Sequence, residues 1–357
     1  MNKFCLAKLS CLGGITQQCK GVETKKQEKI SQLRQDLVTG DWVVIATNRA
    51  KRPEDFADQK RIQEEKNSDK CFFCYPKETG QNEAVLIYSK GDEQDWSLQV
   101  IPNKYPAFAR NGELKHFEEG PFFSMDGVGY NEIIITRDHN RQIANLDKLE
   151  VAEILDAYQD RYIDLMNKKS VNYIDIFHNH GKEAGASVAH PHSQLAAIPV
   201  ISPYIKSELD GAESYYIANR QCVYCTIANW ELEAKKRVIF ENENFFAFCP
   251  FASRAAFEVW VMPKKHKPYF ERINKDEKIE AAEVFQAAIN KIYKALNDPP
   301  YNFYLHTAPC DGKDYPHYHW HIEILPRTAV WAGFELSTGI EISTIEPEVA
   351  ADFLRKQ

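Results

Sequence analysis

Apolar and polar residues in the first half of the chain follow a strand–helix–strand order that leads to a pair of histidines. The apolar run within 131–139 predicts a strand that ends in a histidine. Apolar residues three or four positions apart then predict a helix over about 147–167, and an aromatic-rich strand follows over 171–178. The segment His190-Pro191-His192 comes after that strand.

The second half repeats this order. A strand over 257–266 again ends in a histidine, and a helix is predicted over about 276–296, where two prolines stop it. An aromatic strand over 301–306 and a histidine-rich run over 317–321 complete the match. Because so many features recur in one order, the sequence predicts a tandem duplication of an α+β module.

Four of the nine cysteines form two Cys-x-x-Cys pairs, Cys71/Cys74 and Cys222/Cys225. Each pair is typical of one half of a tetrahedral metal site. A thioredoxin-like redox motif is the alternative, but neither pair opens a βαβ helix. The odd total of cysteines argues against a disulfide framework, so we expect a reducing, cytoplasmic compartment.

The duplication assigns the other metal ligands by their order in the chain. The first predicted site contains Cys71, Cys74, His139 and His190, and the second contains Cys222, Cys225, His266 and His319. In the second site the fourth ligand is open among His317, His319 and His321. Thiolate and imidazole together suit zinc, and a site with four protein ligands is predicted to be structural.

The two histidines of His190-Pro191-His192 share one face if the segment is extended. One ring can then bind metal while the other stays free as a nucleophile. A surface turn is the alternative for an isolated His-x-His, and the cysteine pairs argue against it. Small residues over 181–187 leave room for phosphates, and Gln194 adds an amide donor to the same face.

Composition and charge argue against some classes of function. At a net charge of −7, the chain lacks the basic footprint of a general nucleic-acid-binding protein. It contains no apolar run that predicts a membrane span or a secretion signal. Its 357 residues predict about two domains, over 30–210, which carries the nucleophile, and 211–357. Residues 1–29 are expected to be a flexible extension, with an organelle-targeting peptide as the alternative.

Several further motifs lie over 39–46, 48–53, 100–106, 177–181, 190–194 and 333–335. Together they resemble those of the galactose-1-phosphate uridylyltransferase family of the histidine-triad superfamily, and the similarity covers about residues 30–357. The resemblance implies an α+β fold of two histidine-triad-like modules, with antiparallel half-barrel sheets and packed helices. It also implies zinc, a homodimer and a role in galactose metabolism.

The resemblance assigns roles to individual residues. His192 is the expected nucleophile, which carries the nucleotidyl group covalently, and Gln194 assists it. The expected substrates are a nucleotide sugar and a hexose 1-phosphate or phosphate. The phosphates or ribose are expected at Arg49, Arg52, Asn179, Ser187 and Gln194, the base at Asn103 and Tyr105, and the hexose at Glu335.

Departures from the family pattern bear on the substrate. The usual Phe-Glu-Asn-Lys is Phe-His-Asn-His at 177–180, and the usual Lys-Phe before Gly-Tyr-Glu is Ala329-Val330. The Cys222/Cys225 pair and the segment 333–339 look more like the ADP-glucose phosphorylase branch. The family as a whole favours UDP-glucose:hexose-1-phosphate uridylyltransferase, and the departures make ADP-glucose phosphorylase the alternative.

Two hypotheses from other functional classes are alternatives to nucleotidyl transfer. A histidine-triad hydrolase typically has a third histidine that protonates a poor leaving group, whereas the amide of Gln194 cannot deliver a proton. Glutamine at this position therefore favours transfer over hydrolysis. A zinc-stapled nucleotide-binding module without catalysis is the other alternative, and turnover that survives mutation of His192 would contradict both enzyme hypotheses.

Overall fold

The structure, a computed structural model, describes residues 30–47, 52–57, 71–76, 78–89, 91 and 95–357. The flexible extension predicted for 1–29 lies outside these residues. The helices are α1 (Pro53–Ala57), α2 (Lys148–Leu165), α3 (Pro203–Asn219), α4 (Val223–Ala234), α5 (Lys275–Ala295), α6 (Gly333–Thr338) and α7 (Pro347–Arg355). In the part of the chain described, no helix has both the length and the apolar character that a membrane crossing requires.

The strands begin with β1 (Gln32–Gln35), β2 (Trp42–Ile45), β3 (Leu86–Ser89), β4 (Trp96–Pro102), β5 (His116–Glu119), β6 (Phe122–Met125), β7 (Tyr130–Thr136), β8 (Tyr173–His180) and β9 (His192–Ile198). They continue with β10 (Val238–Glu241), β11 (Phe245–Phe248), β12 (Val259–Pro263), β13 (Tyr301–His306), β14 (His321–Pro326) and β15 (Ile342–Ser343). Strands β1, β2 and β15 form a small sheet, and β5 and β6 form a separate hairpin.

The main sheet has ten strands in the order β10-β11-β12-β14-β13-β8-β9-β7-β4-β3. Every neighbouring pair in it is antiparallel. From the centre outward, the first half contributes β8, β9, β7, β4 and β3, and the second half contributes β13, β14, β12, β11 and β10. If the five strands of each half are numbered along the chain, both halves have the order four, five, three, two, one. This shared order confirms the predicted α+β fold with antiparallel sheets and is the order expected of a duplicated unit.

The two halves are joined at the centre of the sheet, where β8 pairs with β13. Asn179 lies opposite Asn302, and His178 lies opposite Phe303. One buried apolar cluster contains side chains of both halves, such as Leu155 and Phe285. The division into domains 30–210 and 211–357 stays a prediction.

Helices α2 and α5 pack against each other and against the sheet, and both begin with the same kind of cap. Asp147 and Glu150 form a capping box at the start of α2, and Asn274 and Glu277 form one at the start of α5. Such caps satisfy backbone N–H groups that have no partner inside the helix. Both helices occupy the positions that the apolar periodicity predicts, and α5 ends at Ala295, before the two prolines.

Candidate active site

The first cysteine pair meets two histidines beside the sheet. The Cys74 sulfur lies 3.2 Å from Nδ1 of His139 and 3.5 Å from Nδ1 of His190, and the Cys71 sulfur lies 3.5 Å from the latter nitrogen. The ligand atoms of a tetrahedral zinc ion are about 3.3–3.8 Å apart, so the cluster is compatible with zinc. Nε2 of His190 donates to the Thr136 carbonyl at 2.7 Å, which leaves Nδ1 as the ligand atom.

The electrostatics of this cluster suit a bound cation. Burial and the neighbouring Cys71 raise the pKa of the Cys74 thiol to about 12, and burial lowers the pKa of His190 to about 4. The histidine is therefore neutral, as a metal ligand must be. Two adjacent thiolates need a positive charge between them, and a bound zinc ion supplies it.

The second cysteine pair repeats the arrangement. The Cys225 sulfur lies 3.4 Å from Nδ1 of His266 and 3.7 Å from Nδ1 of His319. Together with Cys222, these residues have all their ligand atoms within 4.8 Å of one another. Of the three histidines left open by the sequence, the structure brings His319 into this group. This cluster is likewise compatible with zinc.

A further buried group of potential ligands was not predicted from the sequence as a group, although His321 was one of the candidates for the second site. It consists of Glu208, His306, His321 and Glu323, and Arg254 pairs with Glu323. Although burial lowers the pKa of His306, the carboxylates of Glu208 and Glu323 raise it to about 9. The protonated histidine and Arg254 therefore balance the two carboxylates. The sequence signal is the alternation of His321 and Glu323 on β14, which puts both on one face.

His192, the first residue of β9, is buried and held in one tautomer. Its Nδ1 lies 2.8 Å from the carbonyl oxygen of His190. Because a carbonyl only accepts hydrogen bonds, Nδ1 carries the proton and Nε2 keeps its lone pair. Burial lowers the pKa of His192, which favours the neutral ring. The imidazole is therefore prepared to attack an electrophile through Nε2.

A cavity of about 290 Å³ lies beside His192. Gln194, two residues further along β9, lines the same cavity, as do the predicted residues Asn103, Tyr105 and Ser187. Side chains that were not predicted complete the described lining: Phe72, Phe73, Gln81, Lys104, Ile133 and Val188. The structure thus brings the expected nucleophile, the amide donor and both expected base contacts to one cavity.

Lys104 is the single lysine or arginine among the described residues that line the cavity. It lies between Asn103 and Tyr105, within a motif that carries the family resemblance, but the sequence alone did not single it out. A cation at this place can offset the negative charge of a nucleotide phosphate.

Two predicted contacts among the described residues, Asn179 and Arg52, are not part of the described lining of the cavity. Asn179 on β8 accepts a hydrogen bond from Nδ2 of Asn302 at 2.6 Å. Arg52, directly before α1, is exposed and is not among the described residues that line the cavity. Arg49 lies outside the described residues.

Glu335 belongs to a different part of the surface. It lies in α6, where its carboxylate accepts the backbone N–H of Ala332 at 3.0 Å, and it lines a separate pocket with Arg254 and Trp331. It is not among the residues that line the cavity of His192. Within a single chain, the expected hexose contact and the expected nucleophile therefore line different pockets.

The comparisons with known proteins bear directly on this site. The model of the family described as galactose-1-phosphate uridyl transferase, N-terminal domain, matches residues 21–201. The chain belongs to the galactose-1-phosphate uridylyltransferase family. A second model, described as a domain of unknown function, DUF4921, matches residues 129–357. The predicted family is confirmed, and with it the prediction of a nucleotidyltransferase.

Relatives within the family carry two different names. An ADP-glucose phosphorylase from Arabidopsis thaliana is 35% identical over 91% of this chain and 92% of its own length. A galactose-1-phosphate uridylyltransferase from Thermotoga maritima is 29% identical over 91% of this chain and 98% of its own length. The crystal structure of an ADP-glucose phosphorylase from Arabidopsis thaliana with bound ADP-glucose matches with a TM-score of 0.78 and 31% identity, over 92% of this chain and 99% of that one.

Proposed function

We propose that this family member transfers a nucleotidyl group from a nucleotide sugar to an acceptor phosphate through a covalent intermediate on His192. The observation that carries the proposal is the 2.8 Å hydrogen bond from Nδ1 of His192 to the His190 carbonyl, beside the cavity that Gln194 also lines. It leaves Nε2 as the only ring nitrogen with a free lone pair. The same hydrogen bond stabilises the positive charge that the ring acquires on nucleotidylation.

The proposed reaction has two steps at the same nitrogen. Nε2 of His192 attacks the α-phosphorus, a P–N bond forms, and the P–O bond to the departing hexose 1-phosphate breaks. An oxygen of the acceptor phosphate then attacks the same phosphorus, a new P–O bond forms, and the P–N bond breaks. The imidazole returns to its neutral state with its Nδ1 proton, so no net proton transfer through the ring is needed.

Gln194 fits transfer rather than hydrolysis. Its amide can donate hydrogen bonds to phosphoryl oxygens while charge is redistributed during attack. It cannot act as a general acid, and the leaving group does not require one, because a sugar phosphate has its second pKa near 6. Water would need deprotonation to compete as an acceptor, and the described lining of the cavity offers no carboxylate for that task.

We infer that both Cys₂His₂ clusters hold zinc. When bound, the ion would supply a rigid cross-link between each cysteine pair and its two histidines, since all four ligands come from protein. The first pair lies in a loop, and the second lies at the start of α4. Cys71, Cys74, His139 and His190 would hold the first ion, and Cys222, Cys225, His266 and His319 the second. Because thiolate ligands need reducing conditions, we place the protein in the cytoplasm.

ADP-glucose with inorganic phosphate is the first candidate for the substrate pair. The relative that carries the name ADP-glucose phosphorylase has the higher identity of the two described above, 35% against 29%. Ala329 stands where the uridylyltransferase pattern has a lysine, so a binding group for a hexose phosphate is missing from that segment. The small acceptor phosphate needs no such group.

Uridylyl transfer from UDP-glucose to a hexose 1-phosphate is the second candidate. It is supported by the family model over 21–201 and by the relative from Thermotoga maritima. The two candidates differ in base and acceptor but share the covalent step on His192.

The separation of Glu335 from His192 supports a homodimer. If Glu335 contacts the hexose as the family resemblance implies, it must do so at the cavity of a second copy, because it lines a different pocket of its own chain. Sedimentation at several concentrations checks this proposal. A fully active species that stays monomeric at every concentration would contradict it.

The central experiment offers UDP-glucose and ADP-glucose, each with galactose 1-phosphate and with phosphate, and compares kcat/KM across the four pairs. We expect the pair of ADP-glucose and phosphate to be preferred. With donor labelled at the α-phosphate and no acceptor, wild-type protein should keep label that is stable to base and labile to acid. His192→Ala should take up none, and label on that variant would overturn the assignment of the nucleophile.

A further inference from the structure

Phe73, which directly precedes Cys74, contacts the ring of His192, the proposed nucleophile. Phe73 is 5% exposed, and its ring meets the ring of His192 edge-on, with centroids 5.0 Å apart and planes at 65°. The same ring lies 6.1 Å from the ring of His190. Its backbone N–H donates to the Cys71 sulfur at 3.4 Å, so the metal-binding loop fixes the place of the aromatic side chain.

The second half of the chain contains a similar contact. Tyr224 precedes Cys225, and its ring centroid lies 5.2 Å from that of His321 and 6.3 Å from that of His319. These distances are close to the 5.0 Å and 6.1 Å of the first half, although the planes of Tyr224 and His321 meet at 38° rather than 65°. An aromatic ring against the second histidine of His-x-His is therefore a property of the repeated unit. In the first half, that histidine is the proposed nucleophile.

The orientation of the His192 ring needs more than its hydrogen bond. The bond from Nδ1 to the His190 carbonyl fixes the proton, but one contact at one edge leaves the ring free to tilt about that bond. Attack on phosphorus requires the lone pair of Nε2 to point along the line of the departing oxygen. A side chain packed against the ring removes the freedom to tilt, and Phe73 lies in that place.

We propose that Phe73 is a positioning residue, which holds the imidazole of His192 in the orientation that nucleotidyl transfer needs. The inference rests on the proposed covalent function. It also means that the first metal cluster acts on the chemistry through Phe73, although none of its four ligands needs to touch the substrate. The interaction depends on the bulk and apolar character of the side chain rather than on aromaticity alone.

The test measures the rate of single-turnover nucleotidylation together with the dissociation constant of the donor. Phe73→Ala should slow label uptake from ADP-glucose or UDP-glucose by about ten- to hundredfold, the usual effect of lost alignment. Since Phe73 also lines the cavity, donor affinity should weaken too, but by less than the rate. Phe73→Leu, which restores apolar bulk against the ring, should recover most of the rate.

Ile101→Ala is the matched control. Ile101 is fully buried in the same small apolar cluster as Phe73, but it does not belong to the described lining of the cavity. The Ile101→Ala variant should have an unfolding temperature lowered about as much as that of Phe73→Ala, and its rate of label uptake should equal that of wild type. Zinc content and unfolding temperature are measured for all variants, which separates loss of position from loss of the fold.

Each outcome decides a separate question. If wild-type protein takes up no label from either donor, the proposed function fails, whatever Phe73 does. If wild-type protein is labelled and Phe73→Ala is labelled at the same rate, the inference about Phe73 is wrong. It is also wrong if Ile101→Ala slows labelling as much as Phe73→Ala, or if affinity alone accounts for the change.

Discussion

Replacement of Gln194 by glutamate tests the electrostatics of the proposed transfer. The two side chains have nearly the same shape, so the change adds one negative charge beside His192 with little change in packing. Gln194 and His192 are alternate residues of β9 and line one cavity, so a carboxylate at 194 would lie beside the phosphoryl group that His192 attacks. We take a separation of about 4 Å between the carboxylate and a phosphoryl oxygen. At an effective dielectric constant of about 20, this repulsion is about 4 kcal/mol.

An energy of about 4 kcal/mol corresponds to a roughly 10³-fold loss in rate. Gln194→Leu is the neutral control, since it removes hydrogen bonds to a charged group at a cost of about 1.5–3 kcal/mol, or about ten- to hundredfold. Both variants are compared with wild type by single-turnover uptake of α-phosphate label. If the glutamate variant is as fast as the leucine variant, charge at position 194 does not govern transfer and the reasoning fails.

Three further predictions concern metal, donor binding and the scaffold. Elemental analysis of metal-replete protein should find about two zinc ions per chain. Cys71→Ser should lose one of these ions and unfold at a lower temperature. An unchanged zinc content in that variant would contradict the first ligand set. Lys104→Met should raise the KM for the donor in a manner that weakens with added salt, because the lost attraction is electrostatic; equal KM values at low salt would count against it. Arg161→Met should cost about 3 kcal/mol of unfolding free energy in a denaturant titration, at the lower end of the range for a broken buried pair. It removes the bidentate partner of the buried Glu132 carboxylate and leaves, among the described residues, only Arg110, 3.7 Å away, to offset the charge. A loss below about 1 kcal/mol, the value of an exposed pair, would refute the estimate.

Much of the fold could be predicted because local signals agree with tertiary structure. The helices α2 and α5 were predicted from apolar periodicity, and both have a capping box that acts within the helix itself. The repeated order of cysteine pair, strand, helix and His-x-His likewise predicted which cysteines and histidines lie together. Apolar spacing alone does not ensure burial: Leu149, in the first turn of α2, is 61% exposed.

What the sequence could not predict depends on pairings between distant segments. Glu208 enters the buried group around His306 from α3, and nothing local in either segment indicates that meeting. The placement of Glu335 in a pocket with Arg254, a residue distant in sequence, is likewise not indicated by any motif. The contact of Phe73 with His192 requires the loop of Cys71 and Cys74 to lie against the start of β9. The two cysteines alone do not predict where the side chain between them packs.

The seam between β8 and β13 makes the repeated halves inseparable. Five facing residue pairs join them, from Ile176 with Leu305 to His180 with Tyr301. A polypeptide cut between the halves would leave a bare edge on each fragment, with apolar residues and unpaired backbone groups in water. Each fragment would aggregate or capture its complement, so the two pieces should regain a native sheet only when they are refolded together. We therefore expect the two repeated halves to fold as a single cooperative unit, in which neither half can be discarded although only the first contains the proposed nucleophile.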